Sequence, residues 1–287
     1  MDWAKLIHRK SDMIDFIPGA MEDTAKSRGT IYKGKARFVD ANAIEVNGTR
    51  IGADNFIVAT GSMTRPLSIP GAEYLITSDD VLSERELPDE VVFIGGGAIA
   101  MEFSHIYARA GSKVTILEMM PRLLPRLDED AVTAIQGESE RLGIDIRTDV
   151  EVEAIEKSGD KLQVHFMQDG KQLSITAGRV VNGSGRIANV ADLNLEAANI
   201  AHDGIRIEVD DYLRSVSNPT VWVAGDALVH SAQLSPLATY EGRIVGQNII
   251  DSAQLKPDYS IVPSAVYTVP ALSSVGDAPR YQRRSVE

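Results

Sequence analysis

The chain has 287 residues, of which 44% are hydrophobic and 24% charged, the composition of a globular protein long enough for two domains. Its formal net charge of -12 argues against the cationic surface that nucleic acids and anionic membranes attract. Its apolar runs are of strand length, and its charged N-terminus lacks the apolar core of a signal peptide. We therefore expect a cytoplasmic protein with no nucleic-acid or membrane partner.

The sequence contains no cysteine, which excludes disulfides, thiolate metal sites and cysteine nucleophiles within these 287 residues. The histidines show no metal-ligand spacing, so each is expected to be a surface residue or a hydrogen-bonded core residue. The sequence therefore predicts no metal site. The five histidines are His8, His105, His165, His202 and His230.

The first part of the chain begins with a helical pattern of apolar residues, which is followed by short strand-like runs. Pro18-Gly19 should break or kink the first helix, and Asn47-Gly48 should supply the positive φ angles of a tight hairpin turn. Pro88 marks a candidate domain boundary. In chain order, the predicted elements are a helix at 3–26, strands at 31–39, 43–46, 50–51 and 56–59, and a short helix near 78–83.

Strands and helices alternate from residue 91, as in parallel βαβ architecture. Gly111 should end the first helix, whereas Asp128 is an N-cap candidate for a second helix that stops at Gly143. Asp169-Gly170 should turn a hairpin. The predicted elements are strands at 91–94 and 113–118, helices ending at 110 and 143, hairpin strands over 150–177, a strand at 221–224, a helix near 235–250 and a strand at 262–267.

A glycine-rich string, GGGAIA, directly follows the strand predicted at 91–94 and opens a helix. In this context Gly95 can make the tight turn, Gly97 can let the backbone approach a pyrophosphate, and small Ala100 can permit close packing of helix on strand. The pyrophosphate would rest on the helix N-terminus at Ala98 and Ile99, where free N–H groups favour an anion. The string predicts a dinucleotide site, with a turn that serves packing only as the alternative.

Glu118 stands 18 residues after Ala100, at the end of the second predicted strand. A carboxylate at this place accepts hydrogen bonds from the adenosine ribose hydroxyls and repels the 2′-phosphate of NADP. The sequence therefore favours NAD(H) over NADP(H). Arg122 is near enough in sequence that NADP(H) stays open as an alternative.

Three further strings flank this unit: VATGS at 58–62, VAGDA at 223–227, and LSPLA at 234–238 with EGR at 241–243. Their order resembles that of the two-dinucleotide-binding flavoprotein disulfide reductases, the family of glutathione reductase, dihydrolipoamide dehydrogenase and mercuric reductase. The resemblance implies an α/β, Rossmann-like fold with two dinucleotide-binding domains, in which the NAD domain is complete and the FAD domain incomplete.

By this resemblance, FAD would be held by Thr60 and Gly61 at the crossing between the two domains, by Asp226 on its ribityl chain, and by the neighbouring Gly225 and Ala238. A carboxylate at the C-terminal end of a parallel strand also lies where open α/β sheets place ligand-binding groups. The alternative for Gly225-Asp226 is a turn that only ends the strand.

The same resemblance implies that Gly185 belongs to the NAD site. It also implies that Glu102 lies near the reactive edge of the flavin, where family members pair a glutamate with a lysine. A solvated helix residue is the alternative for Glu102. Ala98 departs from the glutathione reductase pattern, in which a tyrosine can cover the flavin.

The resemblance divides the chain into a partial FAD-binding domain at 1–86 and 188–260, an NAD(P)-binding domain at 87–187 and a remnant of the interface domain at 261–287. Against the family, the sequence looks cut at both ends, since the first FAD-binding strand, the cysteine pair and the His-Glu pair have no counterpart. We expect strands 56–59 and 221–224 to lose a partner, so that this region repacks, pairs with another chain or is loosely ordered.

Three functions are consistent with these features. The first is an NADH-dependent flavoprotein oxidoreductase that passes electrons to a small-molecule acceptor such as a quinone, a dye or oxygen, which need no dithiol. The second is a non-catalytic NAD(H)-binding remnant, and the third is an interaction module with a sheet edge that recruits a partner strand. The missing cysteines exclude self-contained disulfide reduction. The expected assembly is a homodimer or a complex with a partner chain that covers the incomplete sheet.

Overall fold

The structure is a computed structural model that describes residues 2–228, 232–252 and 254–276. His230 and the part of the predicted interface remnant at 277–287 lie outside the described residues. The chain forms two compact units. The first comprises Met1–Pro18, Thr64–Gly185 and Pro263–Glu287, and the second comprises Gly19–Met63 and Arg186–Val262. Residues 2–18 and 64–86 thus lie in the same unit as the glycine-rich string, whereas the sequence predicts that they belong to the partial FAD-binding domain.

The elements are named in chain order. The helices are α1 (Trp3–Ile14), α2 (Ile17–Lys26), α3 (Ser78–Ser83), α4 (Ala98–Ala110), α5 (Glu129–Arg141) and α6 (Ser235–Ile250). The strands are β1 (Ala36–Asp40), β2 (Ala43–Val46), β3 (Thr49–Gly52), β4 (Phe56–Val58), β5 (Ser62–Thr64), β6 (Glu90–Ile94), β7 (Lys113–Leu117), β8 (Asp145–Arg147), β9 (Glu151–Ser158), β10 (Lys161–Gln168), β11 (Lys171–Ala177), β12 (Arg179–Asn182), β13 (Arg186–Ala188), β14 (Val221–Val223), β15 (Ser264–Val266) and β16 (Leu272–Ser274).

A four-stranded parallel sheet in the order β12-β6-β7-β8 is the centre of the first unit. Its central strands, β6 and β7, are short and mostly apolar, as expected for strands that are buried on both faces. Phe93 of β6, Tyr107 of α4 and Ile116 of β7 are fully buried in one hydrophobic cluster. The β6-α4-β7 unit confirms the predicted βαβ architecture and brings the carboxyl ends of β6 and β7 side by side.

The two helices of this unit begin and end close to where the sequence predicts. Gly111 ends α4 with a φ of 115°, a left-handed conformation that glycine adopts at little cost. Asp128 caps α5, because its side chain accepts a hydrogen bond from the Ala131 N–H at 3.0 Å.

The N-terminal segment differs from the prediction of one helix over 3–26. It forms α1 and α2, with the break at residues 15–16 rather than at Pro18-Gly19. Pro18 lies in the first turn of α2, where a missing backbone N–H breaks no helical hydrogen bond. Trp3, near the start of α1, is buried and stacks on Tyr107 with ring centroids 5.2 Å apart.

The second unit contains a parallel pair of strands, β4 and β14, with Val221 opposite Phe56. The expectation that both strands lose a partner is wrong for β14. Its other edge is hydrogen-bonded by residues 213–215, where the Ser215 N–H donates to the Val221 C=O at 2.8 Å. The chain folds back on itself here. Of this pair, only β4 has an edge without a strand partner among the described residues.

Both predicted hairpin turns are confirmed. Asn47 and Gly48 join β2 to β3 with φ angles of 50° and 80°, and Asp169 and Gly170 join β10 to β11 with φ angles of 52° and 71°. These positive angles match the right-handed twist of the flanking strands.

Candidate functional site

The turn after β6 is shaped by a close approach of two backbone segments. Gly95 has a φ of 101°, and a Cβ atom added to it would lie 2.5 Å from the Gly183 carbonyl oxygen. The Gly95 N–H donates to the Leu117 C=O at 2.8 Å, which ties the turn to the end of β7. Gly95 therefore makes the tight turn that the sequence predicts.

Gly97 has a different environment, because it is the N-cap of α4 and its surroundings are open. A Cβ atom added to Gly97 would have its nearest neighbour, the Gly183 carbonyl oxygen, 3.9 Å away. No side chain of the described residues caps this end of α4. The N–H groups of Ala98 and Ile99 in the first turn are thus available, and together with the open space they suit the approach of an anion such as a pyrophosphate.

Ala100 has the small size that the packing of α4 requires. It is fully buried, and a Cβ atom added to Gly183 would lie 3.2 Å from the Ala100 Cβ. The sequence reasoning missed Gly183, although a glycine directly after a buried strand is the available signal. Gly185 has a φ of 108° and open surroundings, and its C=O accepts the Arg65 N–H at 2.9 Å.

Glu118 is held against the glycine-rich turn. One carboxylate oxygen accepts the Gly96 N–H, and the other accepts the Met120 N–H at 2.6 Å. The residue is only 8% exposed, and backbone dipoles fix its orientation. The sequence reasoning did not count Gly96 as a site residue. A Cβ atom added to it would lie 2.4 Å from Cδ2 of Leu123 and 3.0 Å from a Glu118 carboxylate oxygen, so a larger residue would displace these side chains.

Arg122 is engaged within its own loop. Its guanidinium donates to the Leu127 C=O at 3.1 Å and to the Pro125 C=O. The loop is in turn tied to the glycine-rich turn, because the Leu124 N–H donates to the Gly96 C=O at 3.0 Å. The guanidinium therefore braces the loop that follows Glu118.

Glu102 lies on α4 and contacts the segment around β15. Its carboxylate accepts the Tyr267 N–H at 2.9 Å. Two further α4 side chains on the same helical face bind Val269: the ring of His105 accepts its N–H at 3.3 Å, and Arg109 donates to its C=O at 3.1 Å. Glu102 is therefore neither a freely solvated residue nor paired with a lysine in this structure.

His105 is a buried, hydrogen-bonded core histidine. Its Nδ1 atom accepts from Val269, and its Nε2 atom lies 2.8 Å from the Ser139 hydroxyl, which donates to the Ile135 C=O. Burial, helped by the positive charge of Arg109, lowers its pKa below the ordinary 6.5, whereas Glu138 acts in the opposite direction. The neutral ring is therefore the form that the fold stabilises.

This burial predicts a pH dependence of stability. Below about pH 6.5 the unfolded chain binds a proton at His105 that the folded chain excludes, so the free energy of unfolding should fall as the pH falls from 6.5 towards the lowered pKa. Urea denaturation across this pH range measures the effect. His105→Asn should weaken the dependence, whereas His8→Asn, a change in an exposed histidine of α1, should preserve it. An unchanged dependence in His105→Asn would contradict this assignment.

In the second unit, Gly225 and Asp226 follow β14 as predicted. Gly225 has a φ of 70°, and a Cβ atom added to it would lie 3.2 Å from the Ala238 Cβ on α6. The Ser62 hydroxyl donates to the Asp226 carboxylate at 3.1 Å and accepts from Arg186 at 2.8 Å. The arrangement places a partly exposed carboxylate beside a close-packed glycine turn and the start of a helix.

Thr60 and Gly61 lie on the chain just before Ser62. Gly61 has a φ of 70° and open surroundings, and its C=O accepts the Asn189 N–H at 2.9 Å. The Thr60 C=O accepts the Asn189 side-chain amide at 3.5 Å. Both residues are thus held by Asn189, a residue that the sequence reasoning did not identify.

Glu241 belongs to the EGR string at 241–243, but the sequence reasoning assigned it no role at the site. It is fully buried on α6, where its carboxylate accepts the Gly225 N–H at 2.8 Å and the Tyr259 hydroxyl at 3.0 Å. Burial, with the negative charge of Glu241, raises the pKa of Tyr259. The carboxylate fixes the turn that carries Asp226, and a charged residue on the buried face of a helix is the signal that could have found it.

Comparison with known proteins assigns the family. Residues 15–243 match the family described as pyridine nucleotide-disulphide oxidoreductases. The chain belongs to this family. Its Rossmann-like α/β fold, predicted from the order of the sequence strings, is thereby confirmed, and membership implies FAD and a pyridine nucleotide as cofactors.

Individual relatives match over nearly the whole chain. It is 31% identical over 285 residues to a mercuric reductase of Bacillus cereus, covering 96% of this chain and 44% of that protein. It is 31% identical over 278 residues to the chloroplastic/mitochondrial glutathione reductase of Pisum sativum, covering 96% of this chain and 50% of that protein. The chain thus spans about half the length of these curated relatives.

A solved structure agrees with this assignment. The HOCl-induced flavoprotein disulfide reductase RclA from Escherichia coli matches with a TM-score of 0.88 and 28% identity, covering 100% of this chain and 66% of that chain.

Two further findings concern the part of the chain that the structure describes. Its helices include none with the length and apolar character needed to cross a membrane. Across the same residues, histidine, aspartate and glutamate side chains form no cluster of three or more that could hold a metal ion.

Proposed function

We propose that this chain is the NADH-binding part of a flavoprotein oxidoreductase, in which a hydride passes from NADH to FAD. The observation that carries the proposal is the hydrogen-bonded pairing of Glu118 with the Gly96 N–H at the open N-terminus of α4. This places an acceptor for ribose hydroxyls beside a helix end that suits a pyrophosphate.

NADH is the nucleotide that these residues favour. The Glu118 carboxylate would repel the additional phosphate of NADPH at the ribose. Arg122, the nearest cation in sequence, is occupied by the Leu127 and Pro125 carbonyls and would have to leave them to bind a phosphate. We infer that Arg122 supports the loop rather than the cofactor phosphate.

FAD would be held by residues of the second unit. Asp226 would accept hydrogen bonds from the ribityl hydroxyls, while Gly225 lets the turn that carries Asp226 pack closely against Ala238 of α6. Thr60 and Gly61 would line the same site. Bound FAD would supply the redox chemistry, taking up the hydride and releasing electrons to an acceptor.

The acceptor that these 287 residues support is a small molecule that takes electrons from flavin directly, such as a quinone, a dye or oxygen. They contain no cysteine, so they hold no dithiol that could relay electrons to a disulfide.

A non-catalytic NADH-binding role is the second candidate, and it is favoured by the presence of only one well-formed glycine-rich dinucleotide string in the sequence. We also propose that the chain forms a homodimer, or binds a partner chain, through a strand that pairs with the open edge of β4.

Absorption spectroscopy and nucleotide titration of the purified chain test these roles together. We expect a flavin spectrum that bleaches when NADH is added without oxygen, and tighter binding of NADH than of NADPH. A colourless protein that binds NADH would favour the non-catalytic role. Absence of NADH binding, or tighter binding of NADPH, would overturn the assignment of the nucleotide site.

A further inference from the structure

Two consecutive methionines, Met119 and Met120, directly follow the carboxylate of the proposed nucleotide site. The two residues are 70% and 44% exposed, respectively. Exposed large apolar side chains at the end of a parallel strand lie on the edge of the sheet where ligands bind. These two thioethers are therefore open to solvent at the edge that carries Glu118.

The backbone of the pair is fixed although its side chains are exposed. The Met120 N–H donates to the Glu118 carboxylate at 2.6 Å, and the Met120 C=O accepts the Asp149 N–H at 3.2 Å. The other Glu118 oxygen binds the Gly96 N–H of the glycine-rich turn. Met119 thus lies between two residues whose positions are fixed, so a chemical change in its side chain occurs one residue away from the carboxylate that is proposed to bind the ribose.

The sequence makes methionine the side chain most open to oxidation in this chain. It contains eight methionines and no cysteine, so the thioethers are its only sulfur atoms. Exposure controls their reaction, and Met101 inside α4 is fully buried. Among the exposed methionines, Met13, Met21 and Met63 lie outside the β6-α4-β7 unit, whereas Met119 and Met120 directly follow the carboxylate at its end.

We propose that Met119 and Met120 form an oxidation-sensitive modification site that lowers the affinity of the chain for NADH. The inference rests on the proposed function, which places the adenosine ribose at Glu118. The oxidant is a peroxide: oxygen transfer forms one S–O bond and breaks the O–O bond, sulfur loses two electrons, and hydrogen peroxide leaves as water. The product is a polar, chiral sulfoxide in place of an apolar thioether.

The sulfoxide weakens binding for two reasons. The adenosine end of NADH loses an apolar surface beside its ribose, and the added oxygen is a strong acceptor that must be desolvated when the nucleotide binds. Its oxygen also carries a partial negative charge, on residues that directly follow Glu118. Since methionine sulfoxide reductases restore the thioether, the effect is reversible.

The test measures the NADH dissociation constant of the full chain before and after hydrogen peroxide treatment, with peptide mass spectrometry to locate the sulfoxides. In the unmodified sequence, we expect oxidation at both residues and a rise in Kd of about fivefold or more, reversed by methionine sulfoxide reductase. The Met119→Leu/Met120→Leu double variant should show a ratio of treated to untreated Kd close to one. The matched control, Met13→Leu/Met21→Leu, should show the same rise as the unmodified sequence.

The outcomes separate this proposal from the function on which it rests. Oxidation of Met119 and Met120 without a change in Kd would overturn it, as would an equal rise in the Met119→Leu/Met120→Leu variant or peptides in which these residues resist peroxide. Absence of NADH binding before treatment would overturn the proposed function and this site together.

Discussion

The Gly97→Ala variant should lose at least about tenfold in NADH affinity, about 1.4 kcal/mol, while its fold stays intact. The new methyl group would occupy the open space beside the first turn of α4, where a pyrophosphate approaches the backbone. Gly97 has a φ of -79° and a ψ of -175°, which alanine adopts without strain, and its nearest neighbour would be 3.9 Å away. The free energy of unfolding should therefore change by less than about 1 kcal/mol.

Gly137→Ala is the matched control for this substitution. Gly137 lies within α5, has no heavy atom within 4 Å of an added Cβ, and is remote in sequence from the glycine-rich turn. Its replacement should leave NADH binding unchanged and raise stability by about 0.5–1 kcal/mol, because alanine is the better helix former. NADH titration and urea denaturation of both variants give the comparison. Unchanged NADH affinity in Gly97→Ala would show that the pyrophosphate does not approach this backbone.

Gly95→Ala should instead destabilise the fold, by about 3 kcal/mol or more. Its φ of 101° is unfavourable for alanine, and the new Cβ would lie 2.5 Å from the Gly183 carbonyl oxygen and 2.9 Å from the Ser184 Cα. Both neighbours are backbone atoms, so β6 and the segment after β12 would have to move apart. Urea denaturation measures the loss.

Gly111→Ala separates the two causes of this loss. Gly111 has a similar φ of 115°, but an added Cβ would meet no heavy atom within 4 Å. This variant should lose only about 1–2 kcal/mol, the cost of a left-handed conformation for an L-residue. Equal losses in the two variants would mean that the close approach of Gly183 contributes nothing to the requirement for glycine at Gly95.

The β6-α4-β7 unit could be predicted from the sequence because its signals are local. A short apolar strand, three glycines, a helix that ends at Gly111 and a second strand that leads to Glu118 follow one another within 29 residues, from Glu90 to Glu118. The hairpin turns at Asn47-Gly48 and Asp169-Gly170 are equally local, since the turn geometry depends on the two residues themselves. The family could also be predicted, because the order of the strings VATGS, VAGDA, LSPLA and EGR along the chain resembles the order in that family.

The break between α1 and α2 shows where local rules were insufficient. Proline predicts a break at Pro18, but the same residue is acceptable in the first turn of a helix, so its effect depends on where α2 begins.

The partner of β14 was mispredicted for a related reason. Residues 213–215 fold back onto this strand, and no periodicity in the sequence announces that contact.

Residue types and their spacing therefore determined the glycine-rich turn, the carboxylate at Glu118 and the family. Only the tertiary structure decided which groups contact the site residues. Gly183 packs against Gly95 and Ala100, the Glu241 carboxylate accepts the Gly225 N–H, and Arg122 donates to a carbonyl of its own loop. The reason is physical. A conformational preference belongs to a residue and its neighbours in the chain, whereas a close approach or a buried hydrogen bond depends on segments far apart in sequence that packing brings together.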